Sequence, residues 1–108
     1  MTTWTVQATV GRCIDGDTFS CDLDLGWGVW RREVLGAPSR VRILGLDTPE
    51  RGQLGYVEAR SALEALLPFG LIVWVISQRL DSFGRALADV VLLDGRSVRA
   101  LMPEMWWV

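Results

Sequence analysis

Residues 5–25 read TVQATVGRCIDGDTFSCDLDL, and the reading of this stretch decides the fold. Thr5 to Ile14 is rich in β-branched residues, which favour the pleated backbone of a strand. Thr18 to Leu25 alternates, with Phe19, Cys21, Leu23 and Leu25 on one face and Ser20, Asp22 and Asp24 on the other. Asp15-Gly16 stands between the two runs, and an Asp-Gly pair in that position is a strong short-range hairpin signal. The stretch therefore predicts a half-buried antiparallel hairpin.

Outward from it, Gly26-Trp27-Gly28 and Gly36-Ala37-Pro38 mark bends, and Val29 to Leu35 is expected to extend the hairpin with Arg31, Arg32 and Glu33 in solvent. Arg40 to Leu46 alternates and then becomes continuously apolar, as a strand entering a core does. Ala59, Ala62, Leu63, Leu66 and Leu67 follow helical spacing, and Pro68 closes that helix. Leu71 to Ile76 and Arg85 to Leu92 read as two more strands, joined by turn chemistry at Asp81-Ser82-Phe83-Gly84. Ser97 is a candidate cap for a short helix through Met102, which Pro103 ends. Three strands, a helix, two strands and a short helix predict a mainly β, α+β fold: a five-stranded OB-fold barrel with its helix between strands three and four. No repeat or linker is visible, so residues 1–108 are expected to form one domain with an apolar tail at 103–108.

Composition removes whole classes of chemistry. The 108 residues carry 11 cationic side chains, all arginine, against 13 acids, for a net charge of −2. With no histidine there is no imidazole base, no Ser-His or Cys-His pair and no histidine-ligated zinc. With no lysine there is no Schiff base and no P-loop clamp. Cys13 and Cys21 lack a base to activate them and are expected to be reduced and packed. The longest uncharged run, Ala65 to Gln78, contains Pro68 and Gly70 and falls short of the ~20 residues a membrane span needs. Met1 to Arg12 has neither a basic start nor an apolar core, so the expectation is a cytoplasmic protein. The absence of lysine and asparagine, whose codons are A-rich, points to a GC-rich bacterial or phage genome.

Three polar clusters remain. Taken alone, Asp15-Gly16-Asp17-Thr18 reads as a turn, Asp47-Thr48-Pro49-Glu50 as a strand end, Arg42 as an exposed strand residue, and Asp81 to Arg85 as a turn with a surface arginine. Together they form a chemical set. Asp17 and Asp47 with the carbonyl of Thr48 offer the hard oxygens that calcium or magnesium takes. Arg42 and Arg85 can grip a phosphate and balance transition-state charge. Glu50 is free to deprotonate a water. A metal, a charge clamp and a base are the parts that phosphodiester cleavage needs.

The order Asp15-Gly16-Asp17-Thr18, then Arg42 ahead of Asp47-Thr48-Pro49-Glu50, then Asp81-Ser82-Phe83-Gly84-Arg85 resembles the staphylococcal (thermonuclease-type) nuclease homologues, from about Val10 to Met102. The resemblance implies an OB-fold and calcium-dependent hydrolysis of DNA and RNA that leaves 3′-phosphate ends. Matched by motif, Asp17 and Asp47 correspond to calcium-binding aspartates and Thr48 to the carbonyl donor. Asp15 corresponds to a neighbouring acid acting through water, Arg42 and Arg85 to phosphate-binding arginines, and Glu50 to the general base. The chain departs from the pattern by adding the Trp27 to Pro38 region and by reducing the mobile loop to Arg51–Tyr56. It also has Ser82 for a lysine and Phe83 for a tyrosine.

Neutralised phosphates supply most of a nonspecific nuclease's affinity, so an acidic chain must rely on local arginines and a metal. Arg31, Arg32, Arg40 and Arg51 are expected around the cleft, with Ser82 and Phe83 as further nucleic-acid contacts; solubilising charge is the plainer reading of the arginines. Trp27 and Trp30 read first as packing along the extended hairpin and second as stacking platforms. Met105, Trp106, Trp107 and Val108 either fold back over the barrel or meet another subunit or partner. The leading expectation is a calcium-dependent nuclease acting on DNA or RNA. The alternative is a noncatalytic nucleic-acid-binding or assembly module on the same fold.

Overall fold

The hairpin forms, with one irregularity that shapes the rest of the molecule. In the computed structural model, which describes residues 4–32, 34, 39–80 and 86–108, β1 (Trp4–Cys13) pairs antiparallel with β2 (Thr18–Asp24). Val10 faces Cys21, but Cys13 faces Phe19, so β1 spends one extra residue between the two pairs. Such a bulge resets the period-two alternation and lets both Val10 and Cys13 point into the core. Ser20, expected on the outer face, is buried instead: its Oγ accepts the Arg12 N–H at 3.0 Å and donates to the Arg12 carbonyl at 3.4 Å. Gly11 is required there, because a Cβ on it would lie 2.6 Å from that Oγ.

Five strands close on themselves. β1 also pairs antiparallel with β5 (Ile72–Leu80), β5 with β6 (Ala86–Leu92), β6 runs parallel to β4 (Arg40–Ile43), and β4 pairs antiparallel with β2. The circuit β1-β5-β6-β4-β2-β1 is a closed barrel, which leaves no unpaired sheet edge among its members. Phe19, Val41, Ile43, Val73, Val75 and Val90 fill it. The architecture is thus mainly β, OB-like, with two short helices.

The expected hairpin extension is reduced to β3 (Trp30–Arg31), which pairs with the end of β2 through Leu23 and Asp24. Residues 33 and 35–38 of that region lie outside the described residues. Trp27 does not pack along it. It sits fully exposed at the tip with φ 58°, a left-handed conformation unusual for a tryptophan, between two glycines that are also left-handed. Trp30 is partly covered by Arg32, whose guanidinium lies 5.3 Å over its ring.

β4 stops at Ile43 rather than at Leu46, because the chain turns through Gly45 at φ 80°. The helix α1 (Tyr56–Leu66) follows β4 and precedes β5, and buries Ala59 and Leu63 against the barrel, with Leu67 buried one residue beyond it. α2 (Val98–Leu101) starts at Ser97, but the serine side chain makes no capping bond; Ser97 instead bridges to Val91. After a single 3₁₀ turn (Glu104–Trp106), the apolar tail folds back, burying Trp106 and bridging Trp107 to Leu46. Among the described residues no helix is long and apolar enough to cross a membrane.

Candidate active site

The β1–β2 turn is built by its own side chains. Ile14 and Asp15 donate backbone N–H groups to the Thr18 carbonyl at 2.9 and 3.3 Å, and Asp15 Oδ1 accepts the Asp17 N–H at 3.1 Å. This is an Asx turn, the local device by which aspartate bends a chain. It turns the Asp17 carboxylate inward, where only 5% of the residue remains exposed.

Two other elements converge on that carboxylate. Thr18 and Arg42 are register partners across β2 and β4, which brings Arg42 Nη2 to 3.5 Å from Asp17 Oδ2. The same nitrogen lies 4.0 Å from Asp47 Oδ1. Thr48 donates its backbone N–H to Asp17 Oδ2 at 3.4 Å, and the Thr18 hydroxyl donates to Asp17 Oδ1 at 3.1 Å. Thus Asp17, Arg42, Asp47 and Thr48, picked out from separate stretches of sequence, stand together.

The segments touch because nothing larger than hydrogen occupies position 16. A Cβ on Gly16 would lie 2.7 Å from the Ala59 Cβ and 2.9 Å from the Thr48 Cβ and Cγ2, so the turn, α1 and the 47–50 segment meet at that point. α1 clamps the turn from the other side, with Tyr56 donating its hydroxyl to the Ile14 carbonyl at 2.6 Å and Arg60 Nε donating to the Cys13 carbonyl at 3.1 Å. Sequence reading marked neither Gly16 as a contact point nor Tyr56 and Arg60 as supports. Their only signal was their place in the first turns of a helix.

Electrostatics at the site are unbalanced. The Asp17 carboxyl is raised from its usual 3.8 to about 6, by burial first and then by the hydrogen bond to Asp15 and the Asp15 charge, against the opposing pull of Arg42 and Thr18. Asp15 and Asp17 are like charges in partial burial with too little cation beside them. The Thr48 Oγ1 is buried with no hydrogen-bond partner among the described residues. Burying a hydroxyl without a partner costs free energy. Such a set of carboxylate, carbonyl and hydroxyl oxygens is the kind hard divalent cations take. Among the described residues no three His, Cys, Asp or Glu side chains are grouped to hold a metal by themselves. A cation here would therefore need main-chain oxygens and water as well as Asp17 and Asp47.

No family model matches the chain, and no curated protein matches it.

Glu50 stands at the open side. Its backbone N–H donates to Gln53 Oε1 at 2.7 Å and its carbonyl accepts the Gln53 N–H at 2.9 Å, which holds the bend after Pro49 while the side chain faces solvent. Arg51 is exposed beyond it. Arg40 precedes Arg42 on β4, opposite Ser20, and Arg31 and Arg32 lie out on the β3 hairpin. Arg85, Ser82 and Phe83 lie outside the described residues; β6 begins at Ala86, which pairs with Val41 beside Arg42.

Both cysteines are free and buried. The Cys13 thiol is pushed up to about 12, chiefly by burial and then by the charge of Glu64, which removes it from any nucleophilic role.

Proposed function

We propose that the chain is a calcium-dependent nuclease hydrolysing phosphodiester bonds of DNA or RNA, on an OB-fold of the staphylococcal nuclease type, with 3′-phosphate products. The observation that carries the reading is the placement of one Arg42 nitrogen 3.5 Å from the Asp17 carboxylate and 4.0 Å from that of Asp47, with the Thr48 backbone N–H on the same Asp17 oxygen. A cation clamp and an anion clamp so close together suit a phosphate held between a metal and a guanidinium.

Asp17, Asp47 and the Thr48 carbonyl are the groups that would hold calcium, and the uncompensated acids fit it. When bound, the ion supplies charge to the scissile phosphate. Arg42 donates to a phosphoryl oxygen, and Arg85 is assigned the same task. Glu50 accepts the proton of a water attacking in line, and its exposed position leaves room for that water. Asp15 keeps the Asp17 backbone in its turn. No step uses histidine or lysine, in keeping with their absence.

The test incubates single-stranded DNA with the protein in calcium and in EDTA, beside a Glu50→Gln variant. Cleavage is expected only for the wild-type protein in calcium, and equal cleavage in all three samples overturns the mechanism.

A second reading, a noncatalytic binding or assembly module, is favoured by the fully exposed Trp27 on its strained tip. Sedimentation and nucleic-acid titration test it, and a protein that stays monomeric and silent toward nucleic acid removes its support.

A further inference from the structure

Beyond Asp15 the surface opens into a second cleft, of about 390 Å³, lined by Arg12, Asp15, Arg51, Tyr56 and Arg60 along with the Cys13–Ile14 backbone region. Three arginines and one aspartate line it, with Glu64 paired to Arg60, in a protein whose net charge is −2. We propose that this cleft is a second phosphate subsite, which takes a neighbouring backbone phosphate of a single-stranded nucleic acid whose scissile phosphate lies at Arg42. The proposal rests on the nuclease reading and names how that substrate is gripped.

Two constructions in the fold point to a ligand. The first is the bulge of β1. Gly11 and Ser20 hold the Arg12 backbone out of register, with Ser20 Oγ taking up both the N–H and the carbonyl of Arg12. Bulges re-aim side chains, and this one directs Arg12 into the junction of three hollows. Besides this cleft, two further hollows of about 320 and 300 Å³ are both lined by Arg12 and by Phe69. Phe69 is 86% exposed, so its ring face is accessible for stacking.

The second construction is the wall. The Tyr56 hydroxyl is committed to the Ile14 carbonyl at 2.6 Å, and Arg60 is held by the Cys13 carbonyl at 3.1 Å and by Glu64 at 3.0 Å. A guanidinium anchored in this way meets a phosphate with little further loss of side-chain freedom. Cations alternating with an exposed ring are the pattern by which single strands are bound without sequence preference. Asp15 lies on both sides of the divide, lining this cleft and bonding the Asp17 backbone, so the two subsites adjoin.

The probe is a fluorescent oligothymidylate of about eight nucleotides, read by anisotropy in calcium on a Glu50→Gln background so that it stays intact. The Arg12→Gln/Arg51→Gln double variant is expected to weaken binding about tenfold or more and to flatten the log–log salt dependence by about 0.7 for each phosphate it no longer neutralises. Arg12→Lys/Arg51→Lys keeps most of the binding, which shows that charge and not folding is responsible; thermal melts of both check the fold. Phe69→Ala weakens binding about tenfold without changing the salt slope. In cleavage assays with Glu50 intact, the double Gln variant raises KM for the octamer more than it lowers kcat. An octamer affinity and salt slope identical in wild-type and double variant overturn the subsite, as does an octamer that the wild-type protein does not bind. Normal cleavage with unchanged binding leaves the nuclease reading standing without the subsite. Arginine-dependent binding with no cleavage does the reverse.

Discussion

The two acid-bearing segments of the site are built on opposite principles. The 14–17 turn is shaped first by bonds within itself, from Asp15 and Thr18, and is then braced by Tyr56 and Arg60 of the helix packed against it and by Ile43, which donates its N–H to the Asp17 carbonyl at 2.8 Å. Its Asp17 is buried. The 44–50 segment carries Asp47, whose side chain is 69% exposed, and its backbone is held from far along the chain. Asp47 donates its N–H to the Trp106 carbonyl at 2.9 Å, Val108 donates to the Gly45 carbonyl at 3.1 Å, and Arg99 Nε donates to the same carbonyl at 3.0 Å. Trp107 locks this strap by donating its indole N–H to the Arg99 and Met102 carbonyls, with the Arg99 guanidinium 4.8 Å over its ring. One half of the site is a local fold, and the other is hung on a C-terminal strap. An acid pair split in this way is expected to respond to changes in the tail mainly on the Asp47 side.

The largest expected effect comes from cutting the strap. Trp106→Ala removes a buried ring, at a cost of about 3–5 kcal/mol. Hydrogen exchange is expected to show the Asp47 amide losing protection in the native state, while the 14–17 turn keeps its own. Equal loss in both segments would break the comparison.

Gly16→Ala strikes the point where the two segments meet. With Ala59 and Thr48 already within contact distance, overpacking costs about 3 kcal/mol and separates Asp17 from Thr48. Urea denaturation measures the first, and loss of calcium-dependent stabilisation the second.

The pH response isolates the buried half. Because Asp17 titrates at about 6 in the folded chain against 3.8 ordinarily, the native state holds its proton more tightly than the unfolded state does. Its contribution to stability is full below the ordinary value, falls as pH rises toward the folded value, and is lost above it, a change of no more than about 3 kcal/mol. Denaturation in EDTA is expected to show this decline in wild type and not in Asp17→Asn. Calcium in excess reverses the sign, since it binds the ionised form.

The smallest effect is the sharpest. Trp107→Phe keeps the ring and removes the indole donor, at a cost of about 1 kcal/mol. It is expected to weaken calcium binding, measured calorimetrically, with no change in the pH response of Asp17. A shift in that response would mean that the strap reaches the buried acid as well.

Much of the frame was legible in the residues. Asp15-Gly16 announced a turn, and the spacing of Ala59 and Leu63 announced a helix face, because both signals lie within a few residues of chain. The bulge at Gly11–Arg12 was not, since a polar Ser20 on an alternating strand reads as an outward face until its oxygen is seen replacing ladder bonds. Trp27 misled in the other direction: hydrophobicity suggested packing, whereas the flanking glycines present it to solvent. For the site, residue types taken together at turns and strand ends, with the order of the motifs, selected Asp17, Arg42, Asp47 and Thr48. Tyr56 and Arg60 were invisible because each acquires its meaning from a partner tens of residues away, and the burial of the Thr48 hydroxyl was invisible because it depends on the packing around it.

By itself the sequence determined which chemistry is open to this protein. Lacking imidazole and primary amine side chains, it is left with carboxylates, guanidiniums, hydroxyls, two thiols, backbone groups or a bound metal with which to act. It also determined the local elements, since turn and periodicity signals are short-ranged. Only the tertiary structure decided that Asp17 is buried and starved of countercharge, that Arg42 reaches two acids at once, and that the tail supports Asp47. Those properties belong to closure of the barrel. Desolvation and charge balance depend on what surrounds a group in space, and pairing across β2 and β4 and the return of the tail set those surroundings.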